Sequence, residues 1–218
     1  KGNFVSESHT HKRGDSASAL ASAKHRIQGA VHIGGQEHFY LETQISSVVP
    51  TEDGGMIVYT STQNPTEVQK LVAEVLGVPF NKVVIDMRRM GGGFGGKETQ
   101  AAGPACMAAV VAKLTGRPAK MRLPRMEDMM MTGKRHPFFN QYDVGFDDSG
   151  RLTGVEMQLA GNCGYSPDLS NSIVDRAMFH ADNGYYLGDA TITGIRCKTN
   201  IASNTAYRGF GGPQGLIT

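Results

Sequence analysis

Apolar and polar positions follow regular patterns from residue 26 onward, and these patterns predict strands separated by helices. Runs rich in β-branched and apolar residues are typical of strands. Such runs occupy residues 26–35, 56–62, 82–88, 119–123 and 194–203. Two further runs, FFNQYDVGF and RLTGVEMQLAG, flank the sequence DDSG at 147–150, and this arrangement predicts a β-hairpin.

A helix with clear boundary residues is predicted over NPTEVQKLVAEVLG, residues 64–77. Asn64 can cap its N-terminus, Pro65 suits the first helical position, and Glu67 stands where a capping box needs a carboxylate. Gly77 can end the helix in the left-handed conformation that glycine tolerates. Further helices are predicted over residues 99–116 and 169–181.

Gly103 and Pro104 interrupt the helical pattern of residues 99–116. Proline is tolerated in the first turn of a helix and disrupts its interior, so this segment is predicted to kink or to begin late. Helices, strands and a hairpin together predict an α+β fold in which helices pack on mixed sheets.

The first 25 residues are polar and show no periodic pattern. We therefore predict that residues 1–25 are a linker or the end of a preceding domain, and that residues 26–218 form one domain. The chain begins without methionine and stops three residues after GGPQG. We accordingly expect a piece of a longer protein that is truncated at its C-terminus.

Composition excludes several classes of function. The net charge is +2 with no basic run, which argues against nucleic-acid binding, and no apolar run is long enough for a membrane span. An odd number of cysteines without a signal peptide favours reduced thiols and a cytoplasmic protein. The cysteines lie too far apart for an iron–sulfur cluster or a zinc ribbon within this chain: Cys106, Cys163 and Cys197.

The stretch RRMGGGFGGKET, residues 88–99, follows a predicted strand and precedes a predicted helix. Gly91, Gly96 and Lys97 match the first seven positions of a phosphate-binding P-loop. The eighth position requires Ser or Thr, and Glu98 would repel bound phosphates there. A degenerate P-loop, a purely structural glycine turn and a protein-interaction module all stay open on the local pattern.

Two other segments share this glycine-rich character. YRGFGGPQG at 207–215 repeats the combination of arginine, phenylalanine and glycine, and IGGQEHFYLET at 33–43 adds a third glycine pair. Glycines let backbone N–H groups approach a ligand, while phenylalanines supply planar walls. Three such loops favour one large, flat ligand that is contacted from several sides.

Five motifs carry a resemblance to a known family: GGQEHFYLET, RMGGGFGGKET, TGKRHPF, DRAMFHADN and CKTNIASNTAYRGFGGPQ. In this order they resemble the molybdenum-cofactor domain of the xanthine dehydrogenase/xanthine oxidase family, from about residue 4 to the end. The resemblance implies the first of two molybdopterin-binding domains. It also implies partners outside this chain: the second molybdopterin-binding half, iron–sulfur and FAD domains or subunits, and a dimer or dimer of heterodimers.

Four residues are implied to surround the molybdenum cofactor. Gln36 matches the glutamine near the metal's apical oxygen. Phe94 and Gly95 match the loop whose backbone meets the metal's ligand sphere. Arg208 matches the residue whose backbone N–H faces the molybdenum, so the metal environment is assigned to Gln36, Phe94 and Arg208.

Three residues are implied to bind the substrate. Phe210 matches one of two phenylalanines that sandwich a planar ring, whereas Glu98 and Arg176 match a carboxylate and a cation that face each other across a purine. The implied reaction oxidises hypoxanthine or xanthine to urate, through attack by a metal-bound hydroxide and hydride transfer to a sulfido ligand. Arg176 would stabilise negative charge that develops on the ring.

The charged pair favours a purine, and aldehydes or other N-heterocycles are the alternative substrates. A P-loop nucleotide-binding module is a remoter alternative. The resemblance places the general base and the second aromatic wall outside this chain, so we expect the chain on its own to be catalytically inactive.

Overall fold

The computed structural model describes residues 3–218, which divide into two compact units. Unit 1 contains the described residues up to Gln36 together with Lys134–Thr218, and unit 2 is Glu37–Gly133. Each unit contains its own sheet with at least one helix packed against it. The α+β class with mixed sheets and packed helices is therefore confirmed.

The described residues form nine strands and six α-helices. The strands are β1 (His9–Arg13), β2 (His25–Ile33), β3 (Ile45–Pro50), β4 (Met56–Thr60), β5 (Val83–Asp86), β6 (Ala119–Arg122), β7 (Phe138–Phe146), β8 (Leu152–Gly164) and β9 (Ala190–Lys198). The helices are α1 (Ser16–Ser22), α2 (Pro65–Leu76), α3 (Ala102–Thr115), α4 (Arg125–Met131), α5 (Ser170–Phe179) and α6 (Gly212–Leu216).

Unit 1 contains a five-stranded sheet in the order β1-β9-β8-β7-β2. Strands β7 and β8 form the predicted antiparallel hairpin, and the Asp147 N–H donates to the Arg151 carbonyl at 3.0 Å across its turn. Strands β8 and β9 are parallel, so the chain crosses between them through α5. The core between α5 and the sheet contains Phe138, Leu159, Ile173, Val174, Ala177, Met178 and Ile192.

Unit 2 contains a four-stranded sheet in the order β5-β4-β3-β6, in which β4 and β5 are parallel and are connected by α2. Helix α2 has the predicted ends. The Asn64 side chain accepts from the Glu67 N–H at 3.2 Å, and Gly77 adopts a φ of 63°. The core of this unit includes Val48, Val58, Val68, Val72, Ala105 and Ala109.

Helix α3 begins late, as Gly103 and Pro104 predict. Its first residue is Ala102, which puts Pro104 at the third helical position, where the proline ring meets no preceding turn. Gly116 ends the helix with a φ of 64°.

The stretch assigned to a linker contains regular structure. Strand β1 pairs with β9, and α1 packs on β8 with Leu20 buried. All five residues of β1 are exposed, so the strand has no apolar alternation from which it could be predicted. These residues thus contain regular structure that the sequence did not predict, while the assignment of residues 1–25 to a linker or the end of a preceding domain stays a prediction.

Three further segments also differ from the sequence-based expectation. Strand β9 runs from Ala190 to Lys198, earlier than the predicted 194–203, because its first residues pair with both β1 and β8. Helix α4 and strand β3 were not predicted. Helix α4 has only seven residues and is rich in methionine. Strand β3 contains two serines and ends at Pro50, so its sequence does not show the pattern of a strand clearly.

The stability of unit 1 is expected to depend on pH through His136. This side chain is 1% exposed, its Nε2 lies 2.7 Å from Ser170 Oγ, and burial lowers its pKa from 6.5 to about 4. A buried imidazole that stays neutral contributes stability above pH 6.5, and this contribution is lost as the pH falls towards 4.

We therefore expect the free energy of unfolding to decrease between pH 6.5 and pH 4, and to decrease less in His136→Gln. Urea unfolding of both proteins at several pH values checks this. The same pH dependence in both proteins would contradict the role assigned to His136.

Candidate functional site

The glycine loop of unit 2 contains a tight turn at residues 93–96. The Gly96 N–H donates to the Gly93 carbonyl at 2.8 Å, while Phe94 and Gly95 adopt φ values of 54° and 101°. These values and this hydrogen bond are those of a type I′ turn. The Phe94 side chain is 54% exposed, so the turn presents an aromatic ring at the surface of its unit.

Unit 1 contains the same turn at residues 209–212. The Gly212 N–H donates to the Gly209 carbonyl at 3.0 Å, and Phe210 and Gly211 adopt φ values of 47° and 88°. The tetrapeptide Gly-Phe-Gly-Gly thus forms one backbone conformation twice, once in each unit. Both copies hold a phenylalanine in the left-handed region, which is unusual for a bulky residue.

The glycines of the unit 2 loop are required mainly by packing within that unit. A Cβ added to Gly91 would lie 2.4 Å from the Glu42 Cβ, and one added to Gly96 would lie 2.7 Å from the His38 ring. The sequence-based interpretation, that these glycines let a ligand reach the backbone, is therefore wrong for these two positions. What approaches their backbone is the segment that follows Gln36 in the chain.

Gln63 fixes the conformation of the unit 2 turn. Its Oε1 accepts from the Gly95 N–H at 2.8 Å and from the Lys97 N–H at 3.2 Å. A Cβ on Gly93 would lie 2.6 Å from the same oxygen. The Gly95 N–H, which the resemblance directs to the metal's surroundings, is thus bonded to Gln63. Sequence reasoning missed this residue, although its place directly before the Asn64 cap marks it as ordered.

Lys97 is buried and does not face a ligand. Its side chain is 0% exposed, and its Nζ lies 2.9 Å from the Glu42 carboxylate and 3.1 Å from Ser61 Oγ. Burial lowers the pKa of Lys97, and the hydrogen bond with Glu42 opposes this effect. A P-loop lysine must reach phosphate oxygens. The remoter alternative, a nucleotide-binding P-loop, is therefore wrong.

Glu98 follows the unit 2 turn directly. Its N–H donates to the Gly95 carbonyl at 3.3 Å, and its side chain is half-buried. Helix α3 begins only at Ala102. The position of Glu98 is thus set by the turn that carries Phe94, and not by the helix.

In unit 1, Arg135 connects the segments of Gln36 and Arg208. The Arg135 N–H donates to the Gln36 carbonyl at 3.0 Å, and its Nε donates to Gln36 Oε1 at 2.6 Å. Its Nη2 donates to the Arg208 carbonyl at 2.8 Å, and the guanidinium lies 3.9 Å from the ring centroid of Tyr207. Arg135 was not among the predicted site residues. It belongs to the motif TGKRHPF, which was the signal available.

Arg176 and Phe210 are both positioned by helix α5. Phe210 packs against the core beneath this helix, and a Cβ on Gly211 would lie 2.0 Å from the Ile173 carbonyl. Arg176 lies almost one turn further along α5 and its side chain is exposed. Unit 1 thus holds Gln36, Arg176, Arg208 and Phe210, whereas Phe94, Gly95 and Glu98 belong to unit 2.

The polar groups of unit 1 suit an anionic, oxygen-rich cofactor. An uncharged amide and a guanidinium lie together, and Arg135 Nη1 is buried without a hydrogen-bond partner among the described residues. Over residues 3–218, no group of three His, Cys, Asp or Glu side chains is arranged to hold a metal ion. The cysteines Cys106, Cys163 and Cys197 are free thiols. Within the same range, every helix is too short or too polar to cross a membrane.

Comparisons with known proteins agree with this chemistry. The sequence profile of the molybdopterin cofactor-binding domain matches residues 1–218. The chain is 48% identical over 207 residues to the xanthine dehydrogenase/oxidase of Gallus gallus, and 50% identical over 207 residues to the xanthine dehydrogenase of Blastobotrys adeninivorans. Each alignment covers 94% of this chain and 15% of the relative, so the chain spans about a seventh of these proteins' length.

Solved structures show the same fold. The aldehyde oxidoreductase from Desulfovibrio gigas superposes with a TM-score of 0.91 at 23% identity, over 98% of this chain and 24% of that chain. The quinoline 2-oxidoreductase from Pseudomonas putida 86 has a TM-score of 0.85 at 24% identity, over 97% and 27%. The chain belongs to the molybdopterin cofactor-binding domains of the xanthine dehydrogenase family.

The contact between Lys97 and Glu42 predicts a clear effect on stability. Glu42→Ala leaves the Lys97 ammonium buried without its anionic partner, an effect that typically costs about 3–5 kcal/mol for fully buried pairs. Because the Glu42 side chain is 38% exposed, we expect a smaller loss, on the order of 2 kcal/mol. The double change Glu42→Leu with Lys97→Met should recover most of it.

Urea unfolding measures these differences. Glu52→Ala is the matched control, since Glu52 is an exposed carboxylate of the same unit. Its effect should stay within about 0.5 kcal/mol. Equal free energies of unfolding for Glu42→Ala and Glu52→Ala would show that the contact between Lys97 and Glu42 does not stabilise the loop.

Proposed function

We propose that this chain supplies part of the molybdenum centre of an enzyme that hydroxylates purines, converting hypoxanthine or xanthine to urate. One observation of the structure carries the proposal. Each unit holds a phenylalanine on a Gly-Phe-Gly-Gly turn; Glu98 directly follows the turn of unit 2, and Arg176 lies on α5, the helix against which the Phe210 turn packs. The identity to proteins named xanthine dehydrogenase supports the same substrate class.

Gln36, Phe94 and Arg208 are the residues proposed to surround the molybdenum. When bound, the cofactor supplies the oxygen atom and accepts the two electrons of a hydroxylation. The Gln36 amide donates a hydrogen bond to an oxygen of the cofactor while staying uncharged. Phe94 and Gly95 are proposed to contact the cofactor through the turn that they form.

Glu98, Arg176 and Phe210 are proposed to bind the purine. The Phe210 ring stacks on the planar substrate and excludes water from one face. Glu98 accepts hydrogen bonds from N–H groups at the polar edge of the purine. Arg176 stabilises the negative charge that develops on the ring, and this interaction is stronger in the transition state than in the ground state.

Other parts of the enzyme are proposed to complete the site. These are a second molybdopterin-binding half with the general base and the second aromatic wall, and iron–sulfur and FAD domains or subunits for electron transfer. The intact enzyme is proposed to be a cytoplasmic dimer or dimer of heterodimers. Residues 1–25 are proposed to end the preceding domain, and residues 26–218 to belong to the first molybdopterin-binding domain.

The charged pair provides the test of the substrate class. In the intact enzyme, Glu98→Val together with Arg176→Met should lower xanthine turnover by at least about 100-fold. Turnover of a small aromatic aldehyde should change by less than about tenfold, because an aldehyde presents no polar edge to these residues. Steady-state kinetics with both substrates measure the ratio.

The matched control is Glu52→Val together with Arg151→Met. These residues carry the same charges, are exposed, and lie in units 2 and 1 respectively. The control should leave both turnovers unchanged. An equal loss on xanthine and aldehyde in the first variant would reject the purine assignment in favour of the alternative substrates, aldehydes or other N-heterocycles.

The isolated chain is expected to be inactive and to retain no molybdenum cofactor. Only part of the proposed site belongs to it, and a ligand that is held on one side loses most of its buried contact. Elemental analysis of the purified chain measures molybdenum, and xanthine oxidation with a dye acceptor measures activity. Stoichiometric metal or measurable turnover would contradict this division of the site.

A further inference from the structure

The core-facing side of β9 contains a charged residue. Ala190, Ile192 and Gly194 occupy alternate positions of this strand and are buried, and the next position in the same alternation is Arg196. Its side chain is 0% exposed. A buried guanidinium needs hydrogen-bond acceptors and an anionic partner to offset its loss of hydration.

Helix α5 supplies that anionic partner. Arg196 Nη2 donates to the Asp175 carboxylate. The other terminal nitrogen, Nη1, donates to the Glu7 carbonyl at 3.0 Å and to the Gly194 carbonyl at 3.3 Å. His9 Nδ1 lies 2.8 Å from the same carboxylate and 2.9 Å from Arg196 Nη2. The Asp175 carboxylate is thereby held towards β9 and β1.

Asp175 directly precedes Arg176, the residue proposed to stabilise negative charge on the substrate. Consecutive helical residues point about 100° apart around the helix axis, so the two side chains leave α5 in different directions. The Arg176 side chain is exposed, and among residues 3–218 its guanidinium has no hydrogen-bond or ion-pair partner. The carboxylate is thus paired with the buried Arg196, although an exposed arginine follows it in the chain.

This pairing determines how much positive charge Arg176 can offer to a ligand. A carboxylate without a cationic partner attracts a nearby guanidinium and lowers the positive potential around it. An arginine stabilises negative charge on a substrate only to the extent that no other anion has already neutralised it. Because Arg196 neutralises Asp175, the charge of Arg176 stays available.

The packing of α5 limits its movement when these charges are changed. A Cβ on Gly211 would lie 2.0 Å from the Ile173 carbonyl, and one on Gly215 would lie 2.0 Å from the Ala177 carbonyl. The helix backbone therefore lies directly against the segment that carries Phe210. Substitutions in the ion pair are expected to leave the helix in place and to report on charge.

We propose that Arg196 is a positioning residue, which holds the Asp175 carboxylate away from Arg176 and so keeps the Arg176 guanidinium available to the purine. This inference rests on the proposed function. Arg196 does not contact the substrate and acts only through the charge of Arg176.

The two partners of the ion pair predict unequal effects on purine turnover in the intact holoenzyme. Arg196→Met leaves the Asp175 carboxylate without its cation, so kcat/KM for xanthine should fall by about tenfold. Asp175→Asn removes the carboxylate itself, and kcat/KM should stay within about threefold of the parent value. The double variant should also stay within about threefold, because no unpaired carboxylate remains beside Arg176. Steady-state kinetics measure these values, expressed per molybdenum atom.

Stability is expected to follow the opposite order. Asp175→Asn leaves a buried cation unpaired, whereas Arg196→Met leaves a carboxylate that is 31% exposed and can be hydrated. The melting temperature should therefore fall more in Asp175→Asn than in Arg196→Met. A purely structural role for the ion pair would make the less stable variant the less active one.

Control variants separate the charge effect from other causes. In the Arg176→Met background, Arg196→Met should change kcat/KM for xanthine by less than about twofold, because the charge through which it acts is gone. Arg196→Lys keeps a cation beside Asp175 and should stay within about threefold of the parent. His9→Ala and Arg151→Met should match the parent, since the first leaves the ion pair in place and the second removes an exposed arginine of the same unit.

A small aromatic aldehyde provides the substrate control. Its turnover should change by less than about threefold in Arg196→Met, because an aldehyde presents no polar edge to Arg176. An equal loss on xanthine and aldehyde would overturn the role of Arg196. So would parent-like kcat/KM for xanthine in Arg196→Met, equal losses in the two single variants, or a loss that persists in the Arg176→Met background.

The proposed function fails in a different way. Parent-like xanthine turnover in Arg176→Met would overturn the assignment of this residue to the purine, and the role of Arg196 with it. That failure is distinguishable because it concerns a variant in which Arg196 and Asp175 are both intact.

Discussion

A phenylalanine held at a positive φ costs about 1–3 kcal/mol, and this chain contains one in each of its two Gly-Phe-Gly-Gly turns. Such a conformation persists only where the surroundings leave no alternative. Around Phe94, the Gln63 amide accepts two backbone N–H groups of the turn and its neighbour. Around Phe210, the backbone of α5 lies too close to Gly211 for any side chain to be accepted there. In each unit the surrounding chain therefore fixes the turn that carries the phenylalanine.

Charged side chains close to the turns hold the loops in place through hydrogen bonds within the protein. Lys97 lies beside a glycine-rich turn and has the charge expected of a phosphate ligand, yet it is bonded to Glu42 and Ser61 inside unit 2. Arg135 is similarly bonded to Gln36 and to the Arg208 carbonyl. A cation near a ligand-binding loop is therefore not necessarily a ligand-binding cation. Its hydrogen-bond partners decide between the two roles.

The sequence predicts those features that depend on neighbouring residues. Helix α2 was predicted together with its cap, because Asn64, Glu67 and Gly77 act within a few residues of one another. The direction of the Lys97 side chain could not be predicted, since it depends on Glu42, which is 55 residues away in the chain. Strand β1 was missed for a related reason, because its pairing with β9 relies on backbone groups that carry no side-chain signature.

The candidate site was predictable to a similar extent. The motifs propose its residues, and in unit 1 the Gln36 side chain and the Arg208 carbonyl both accept hydrogen bonds from the Arg135 guanidinium. Gln63 and Arg135 were missed as members because their hydrogen bonds connect segments that lie far apart in the chain. Their contribution is to hold other groups in place, and such a role is visible only once the distances are known.

The polar strand β1 determines what the edge of the unit 1 sheet presents to other molecules. Its five residues, HTHKR, are all exposed, and four of them are basic: His9, His11, Lys12 and Arg13. Beside β1 in the sheet lies β9, which contains Ile192 and Ile195 and whose backbone pairs with β1 over residues 190–194. Without β1, the backbone groups of β9 on this side would be open to strand addition by another chain, whereas cationic side chains on an edge strand disfavour such pairing. A segment without a periodic pattern in the sequence thus protects the edge of the unit 1 sheet.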